Sequence, residues 1–285
     1  MELVCNELSF FPLAGNSHIA EQRFKDILRT FSDAQKKYGF THVRFPLNYS
    51  TQQITSTQTL FEWITTIANH SLKSLILGLF RPPYIDDLEE NEMRSFLNSN
   101  YSISDNESPV NISPFGLPIA YIKAIPSISF DSHTFWRGRK IQVKKSGTNE
   151  EENSLFHVYN ICLSDDINSQ ELNEWSENSF PQFIVTEVHL TSYLSYTRYN
   201  SIFTNAFLQQ FFDWRQNDFA TFKYILLLMK DVELHPFLGG RGQTENLKNR
   251  GKEGSKRINI NDRLSYSISN DIVTFIACKG HYEFH

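Results

Sequence analysis

The chain has 285 residues, 40% of them apolar and 14% aromatic, which is enough to build packed cores in two domains of ordinary size and excludes disorder for most of its length. Its formal charge of −5 hides an asymmetry: residues 201–285 carry 11 Lys and Arg against 9 Asp and Glu, leaving 16 against 23 in residues 1–200. The basic end suits a polyanionic partner. The opening MELVCNELSFFPLAG has no basic segment leading into an apolar core, and no apolar run reaches the ~20 residues of a membrane span, so a cytoplasmic protein without a membrane partner is expected. Cys5, Cys162 and Cys278 are widely spaced and form no C-x-x-C, which argues against a disulfide framework or a zinc site and for buried small side chains.

Residues 20–38 place Phe24, Ile27, Leu28 and Phe31 at helical spacing, with Lys36 and Lys37 in the last turn and Gly39 just beyond, which predicts an amphipathic helix. THVRFPL (41–47) alternates like a strand until Pro46. Leu60, Trp63, Ile64 and Ile67 form a second helical face, and SLKSLILGLF (71–80) is a buried segment of undecided type. The acidic run Asp86, Asp87, Glu89, Glu90 and Glu92 reads as the face or cap of a solvated helix, and Ser102–Pro114 as a loop. Short β-prone runs follow at 119–125, 127–130, 140–145 and 155–162, with SGTNEEEN (146–153) as a hairpin tip. Helices followed by a β meander make residues 1–197 an α+β domain, whose role stays open between regulation, sensing and docking.

From Ser201 the pattern resets. Phe207, Phe211 and Trp214 share one helical side, and Asp218 is placed to cap a second helix with Phe222, Ile225, Leu226 and Met229 facing inward. The glycine-rich HPFLGGRG (235–242) precedes antiparallel strands around 256–260, 263–268 and 272–278, with SNDI (269–272) as the tight turn between the last two. The implied unit over 198–285 is a pair of helices on a small antiparallel sheet.

The chemistry concentrates between Gly239 and Tyr282, where Glu245, Lys248, Arg257, Arg263 and His281 lie around strand-like runs. RNA carries its own nucleophile, the 2′-hydroxyl. Cutting it needs a base, an acid for the leaving 5′ oxygen, and cations for the charge on phosphorus, but no metal and no other cofactor. Glu245 can serve as base, His281 as acid, and Arg263 with Lys248 or Arg257 as charge stabilisers. Arg241 and Lys256 complete the basic set facing RNA. Each side chain alone also has an ordinary structural role; their order and spacing together carry the reading.

Residues from about Ser201 to Tyr282 resemble the YoeB/Txe branch of the RelE-like toxins, through LMKDVELHPFLGGRGQTENLK, SKRI, DRLSYSI and IACKGHY in the family's order and nearly its spacing. The resemblance implies cleavage of messenger RNA on the ribosome, with Glu245 as base, His281 as acid, Tyr282 stacking on or orienting a base, and Lys248, Arg257 and Arg263 holding phosphate. It also implies the setting of a bacterial toxin–antitoxin or phage-defence system that inhibits translation. An antitoxin protein and a second copy of the chain are then candidate partners beside messenger RNA and the ribosome. Two departures stand out: KNRGKEG (248–254) lacks the family's usual Leu and aromatic, and Glu283, Phe284 and His285 follow the terminal His-Tyr pair.

Two alternatives stay open at this level. The C-terminal domain could be a catalytically degenerate toxin fold that binds an antitoxin or ribosome. Alternatively, the N-terminal domain could be a metal-dependent nuclease, with Asp131 and Gln142-x-Lys144 as its metal site and His133, Trp136, Arg137 and Arg139 gripping nucleic acid.

Overall fold

The computed structural model describes residues 1–46, 49–79, 88–104, 107–147, 153–194, 198–246 and 252–280, with Tyr49 and Asn246 described by backbone only. The chain is α+β and divides into two compact units, Met1–Ser179 and Phe180–His285. The sequence-based boundary at 197/198 therefore falls inside the second unit.

In the first unit, β1 (Glu2–Cys5) leads into α1 (Ser17–Tyr38) and returns as β2 (His42–Arg44). The side chain of Asn16 accepts from the Ile19 amide at the start of α1, and Gly39 takes the left-handed conformation (φ 71°) at its end, as the sequence predicts. Then follow α2 (Leu60–Thr66), α3 (His70–Leu79), α4 (Glu90–Leu97), β3 (Asn100–Ile103), α5 (Gly116–Ile122), β4 (Ser127–Ile128), β5 (Lys140–Ser146), β6 (Ser154–Ile161) and α6 (Gln170–Asn178). Phe24 of α1 stacks on Trp63 of α2 at 4.9 Å, and both are buried in the core.

These strands form a six-stranded sheet in the order β2-β1-β4-β6-β5-β3. Strands β2, β1, β4 and β6 run parallel; only β5 with β6 and β3 with β5 pair antiparallel. The expected meander thus accounts for one edge of the sheet. Its parallel half joins strands far apart in sequence, which local alternation does not reveal. The run at 119–125 is also corrected, being largely helix α5 rather than strand. Leu117, Ile119 and Ala120 are all buried, so the run shows no helical stripe. What starts the helix is distant: the buried Glu7 carboxylate accepts the Phe115 amide at 2.6 Å and the Gly116 amide at 2.9 Å. The acidic run is a helix start as expected, with the Glu89 amide donating to the Glu92 carboxylate at 3.0 Å. Asp86 and Asp87 lie outside the described residues.

The second unit contains α7 (Glu187–Tyr193), β7 (Asn200–Phe203), α8 (Asn205–Asn217), α9 (Phe219–Leu234), β8 (Thr244–Asn246), β9 (Glu253–Arg257), β10 (Arg263–Ser269) and β11 (Ile272–Ala277). Its sheet runs β7-β11-β10-β9-β8, antiparallel except that β7 lies parallel to β11. Asp218 caps α9 by accepting from the Thr221 amide at 3.0 Å, and Phe222, Ile225, Leu226 and Met229 are buried as predicted. Asn270 and Asp271 both take positive φ (49° and 58°), which gives the β10–β11 hairpin its tight turn. The segment before the expected boundary packs on these helices. Lys230 of α9 lies 3.8 Å over the Tyr193 ring, and Arg215 of α8 donates to the Gln182 carbonyl at 3.0 Å.

Gly254 of β9 faces Tyr266 of β10 directly, and a Cβ there would lie 2.9 Å from the Tyr266 ring. Tyr266 is fully buried and bonded through its hydroxyl to the Pro236 carbonyl, so it cannot swing away. Gly254→Ala is therefore expected to destabilise the second unit by about 1–3 kcal/mol, the usual cost of overpacking, measurable by urea unfolding.

Candidate functional site

The strand registers decide which side chains share a face. Across the sheet Glu245 pairs with Ser255 and Ser255 with Ser265, while Arg257 pairs with Arg263. Directly opposed residues, and residues two apart along a strand, point the same way. Glu245, Arg257 and Arg263 are thus on one face of β8–β10, whereas Thr244, Lys256 and Leu264 are on the other. Glu245 is half-buried, Arg257 exposed and Arg263 buried.

Arg263 is held stiffly. Its Nη1 donates to the carbonyls of Asn259 at 2.7 Å and Asp262 at 3.1 Å, while its buried Nε has no hydrogen-bond partner among the described residues. A buried N–H without a partner costs about 1–3 kcal/mol, and two like charges directly opposed across strands repel. An anion on this face would relieve both.

The carbonyls that hold Arg263 belong to a rigid β9–β10 turn. Asn259 Oδ1 accepts the amides of Asn261 and Asp262, each at 2.8 Å. Asp262 in turn accepts the Gly280 amide at 2.9 Å, and the Arg263 amide donates to the Gly280 carbonyl at 3.2 Å. The chain approaching residue 281 is also tied to α8. Gln210 accepts the amides of Cys278 and Lys279 at 2.8 and 3.0 Å, and the Trp214 indole donates to the Cys278 carbonyl at 2.9 Å. The last described residue before His281 therefore sits at the Arg263 end of β10. His281, Tyr282 and Lys248 themselves lie outside the described residues.

Arg241 is exposed in the glycine-rich loop, where its backbone amide donates to Asp231. Lys256 is a correction to the expected RNA-binding set. Its side chain is 0% exposed, and its ammonium donates to Asp231 Oδ2 at 2.7 Å and to Thr244 Oγ1 at 2.9 Å on the helix side of the sheet. In SKRI only the second basic residue, Arg257, reaches the cationic face.

Sequence reasoning also missed Asp231. Burial alone would push its carboxyl up, but bonds from the Lys256 ammonium, the Arg241 amide and the His235 ring hold it below the ordinary carboxylate range. The available signal was Asp231 four residues before His235 at the end of an otherwise apolar helix.

In the first unit the alternative site is committed elsewhere. Arg137 grips Asp131 through Nε at 2.7 Å and Nη2 at 3.1 Å, and Ser104 donates to Gln142 at 2.6 Å. Trp136 is fully buried with its indole on the Phe11 carbonyl, and Arg139 is paired with Asp166 at 3.1 Å. In this cluster the Trp136 indole and the Arg137 and Arg139 guanidiniums are engaged within the unit. Cys5, Cys162 and Cys278 are free and buried. No described helix is long and apolar enough to cross a membrane.

Helices on one side of a small sheet, and a carboxylate with two guanidiniums on the other, define a compact α+β unit. The profile of YoeB-like toxins of bacterial type II toxin–antitoxin systems matches residues 203–282. Toxin YoeB of Synechocystis is 37% identical over 82 residues, covering 28% of this chain and 94% of that protein. Toxin YoeB of Escherichia coli K12 is 37% identical over 70 residues, 24% of this chain and 82% of that protein. The solved YoeB dimer from Staphylococcus aureus is 32% identical, covers 30% of this chain and 100% of that chain, and superposes with a TM-score of 0.29. Through this C-terminal region the chain belongs to the YoeB toxin family of type II toxin–antitoxin systems.

Proposed function

We propose that the second unit is an endoribonuclease that cuts messenger RNA on the ribosome by metal-independent acid–base catalysis. The observation that supports this most is the shared face of Glu245, Arg257 and Arg263, with a buried Arg263 Nε that has no hydrogen-bond partner among the described residues. Glu245 takes the proton of the 2′-hydroxyl as its oxygen attacks phosphorus. His281 protonates the departing 5′ oxygen, and Arg263, Arg257 and Lys248 hold the phosphate while its charge grows. Tyr282 orients a base. The products are a 2′,3′-cyclic phosphate, or the 3′-phosphate from its hydrolysis, and a 5′-hydroxyl end.

The acidic first unit regulates or targets this activity, and the setting is growth arrest in a toxin–antitoxin or phage-defence system in the cytoplasm. A YoeB–YefM complex and a YoeB dimer are known from Staphylococcus aureus, so an antitoxin and a second copy are the partners to test.

The test compares growth of bacteria expressing the full chain with bacteria expressing Phe180–His285, each with its H281A counterpart. Arrest by the short form alone, lost in H281A, is the expected result for an inhibitory first unit. Equal arrest by both would favour targeting. Arrest that persists in both H281A forms would remove the acid–base mechanism.

A further inference from the structure

The strand that carries Glu245 needs an anchor. β8 is three residues long and lies at the edge of its sheet, so its ladder to β9 is a weak constraint on where the Glu245 carboxylate stands. The anchor comes from the opposite face. Asp231, buried near the end of α9, accepts the Lys256 ammonium at 2.7 Å and the Arg241 amide at 2.8 Å, and Lys256 reaches on to Thr244 Oγ1 at 2.9 Å. Thr244 is the residue immediately before Glu245 and sits directly across from Lys256. Its hydroxyl donates to the Gly239 carbonyl, which closes the chain of bonds back onto the glycine-rich loop.

The loop itself is pressed onto the carboxylate. A Cβ at Gly240 (φ 77°) would lie 2.2 Å from Asp231 Oδ2, so only glycine permits the Arg241 amide to reach Asp231. His235 closes the remaining side, with Nδ1 3.1 Å from Asp231 Oδ1. One carboxylate on a rigid helix thus fixes the loop that leads into β8, the first residue of β8, and the β9 lysine between the two basic-face positions of Ser255 and Arg257.

From this geometry we infer that Asp231 is a positioning residue for Glu245, acting through Lys256 and Thr244 from the side of the sheet that RNA does not touch. The inference rests on the reading of Glu245 as the base. It adds a functional element on the helix face, and it assigns Lys256 to alignment rather than to phosphate. An ion pair that served stability alone could be exchanged for apolar side chains of similar volume without harm to activity. A positioning pair could not.

The experiment uses the full chain, with a short synthetic messenger and purified ribosomes, in the T244V and D231L/K256M forms. T244V removes the Thr244 hydroxyl, and with it the bond from Lys256 and the bond to the Gly239 carbonyl, but keeps the ion pair, while the double variant replaces the pair with an apolar one. Both are expected to unfold cooperatively near the wild-type temperature. Both should keep KM for the messenger within about twofold and lose kcat by about tenfold or more, the scale on which a misplaced catalytic group acts. Amide hydrogen exchange in β8 should speed by about tenfold relative to β10 and β11. A folded variant with unchanged kcat and unchanged β8 protection overturns the inference, and T244V decides the matter if the double variant does not fold. If E245A cleaves as well as wild type, the reading of Glu245 fails. The exchange measurement then still reports whether Asp231 holds β8.

Discussion

Full-length chain carrying E245A or H281A is expected to cleave messenger about 10²–10⁴-fold more slowly than wild type, the usual worth of a positioned acid or base. R263A should cost about 10²–10³-fold, because a buried guanidinium pinned to the turn carbonyls provides charge stabilisation that water cannot replace. The pattern matters as much as the size. R257A removes an exposed cation from the same face and should raise KM more than it lowers kcat. R263A should act mainly on kcat. Single-turnover cleavage of a ribosome-bound messenger separates the two, and equal effects of R257A and R263A on both constants would contradict the division of roles.

The second large effect is on stability. D231A leaves the fully buried Lys256 ammonium without its counter-charge, and breaking a buried pair by removing one partner typically costs about 3–5 kcal/mol. That is a large share of the roughly 5–15 kcal/mol by which an ordinary domain is stable. The same carboxylate should give the second unit an acid limb. Its folded form is held below the ordinary carboxylate range, so its contribution is complete above the unfolded value of about 4 and is lost as pH falls through the folded one. Urea unfolding from pH 7 to pH 3 should show this loss in wild type, and the D231L/K256M form should lack that part of the slope. Parallel acid limbs in the two proteins would show that other carboxylates govern it.

Glu7 has the opposite sign. Its full burial pushes the carboxyl up, although the Phe115 and Gly116 amides oppose this. Its contribution to the first unit is therefore complete below the unfolded carboxylate value and declines as pH rises towards the folded one. The two units should respond to mild acid in opposite directions through these groups.

Much of the second unit was legible in the chain because its determinants are local. Asp218 as a cap, the inward set from Phe222 to Met229, and the Asn270–Asp271 turn are each fixed by neighbours within a turn or a hairpin. The first unit was less legible because its sheet is built by crossovers. Val4 of β1 pairs with Arg44 on one side and Ser127 on the other, and no local pattern announces such a pairing. The start of α5 depends on Glu7, more than a hundred residues earlier.

At the site, motif order named the candidate residues but could not say which face each occupies. Lys256 and Arg257 are adjacent and equally basic, yet the two-residue period of a strand sends one into the core against Asp231 and the other to the open face. Asp231 was silent for the same reason: an acidic residue near the end of an apolar helix acquires its role only when β9 brings Lys256 beneath it.

Glu245 is proposed to act as the base when the second unit cuts messenger RNA. The most direct measurement maps RNA 5′-hydroxyl ends across the transcriptome in bacteria expressing Phe180–His285 or its E245A form. New 5′-hydroxyl ends confined to translated codons, absent with E245A, are the predicted result. No new ends, or the same ends with E245A, would contradict it.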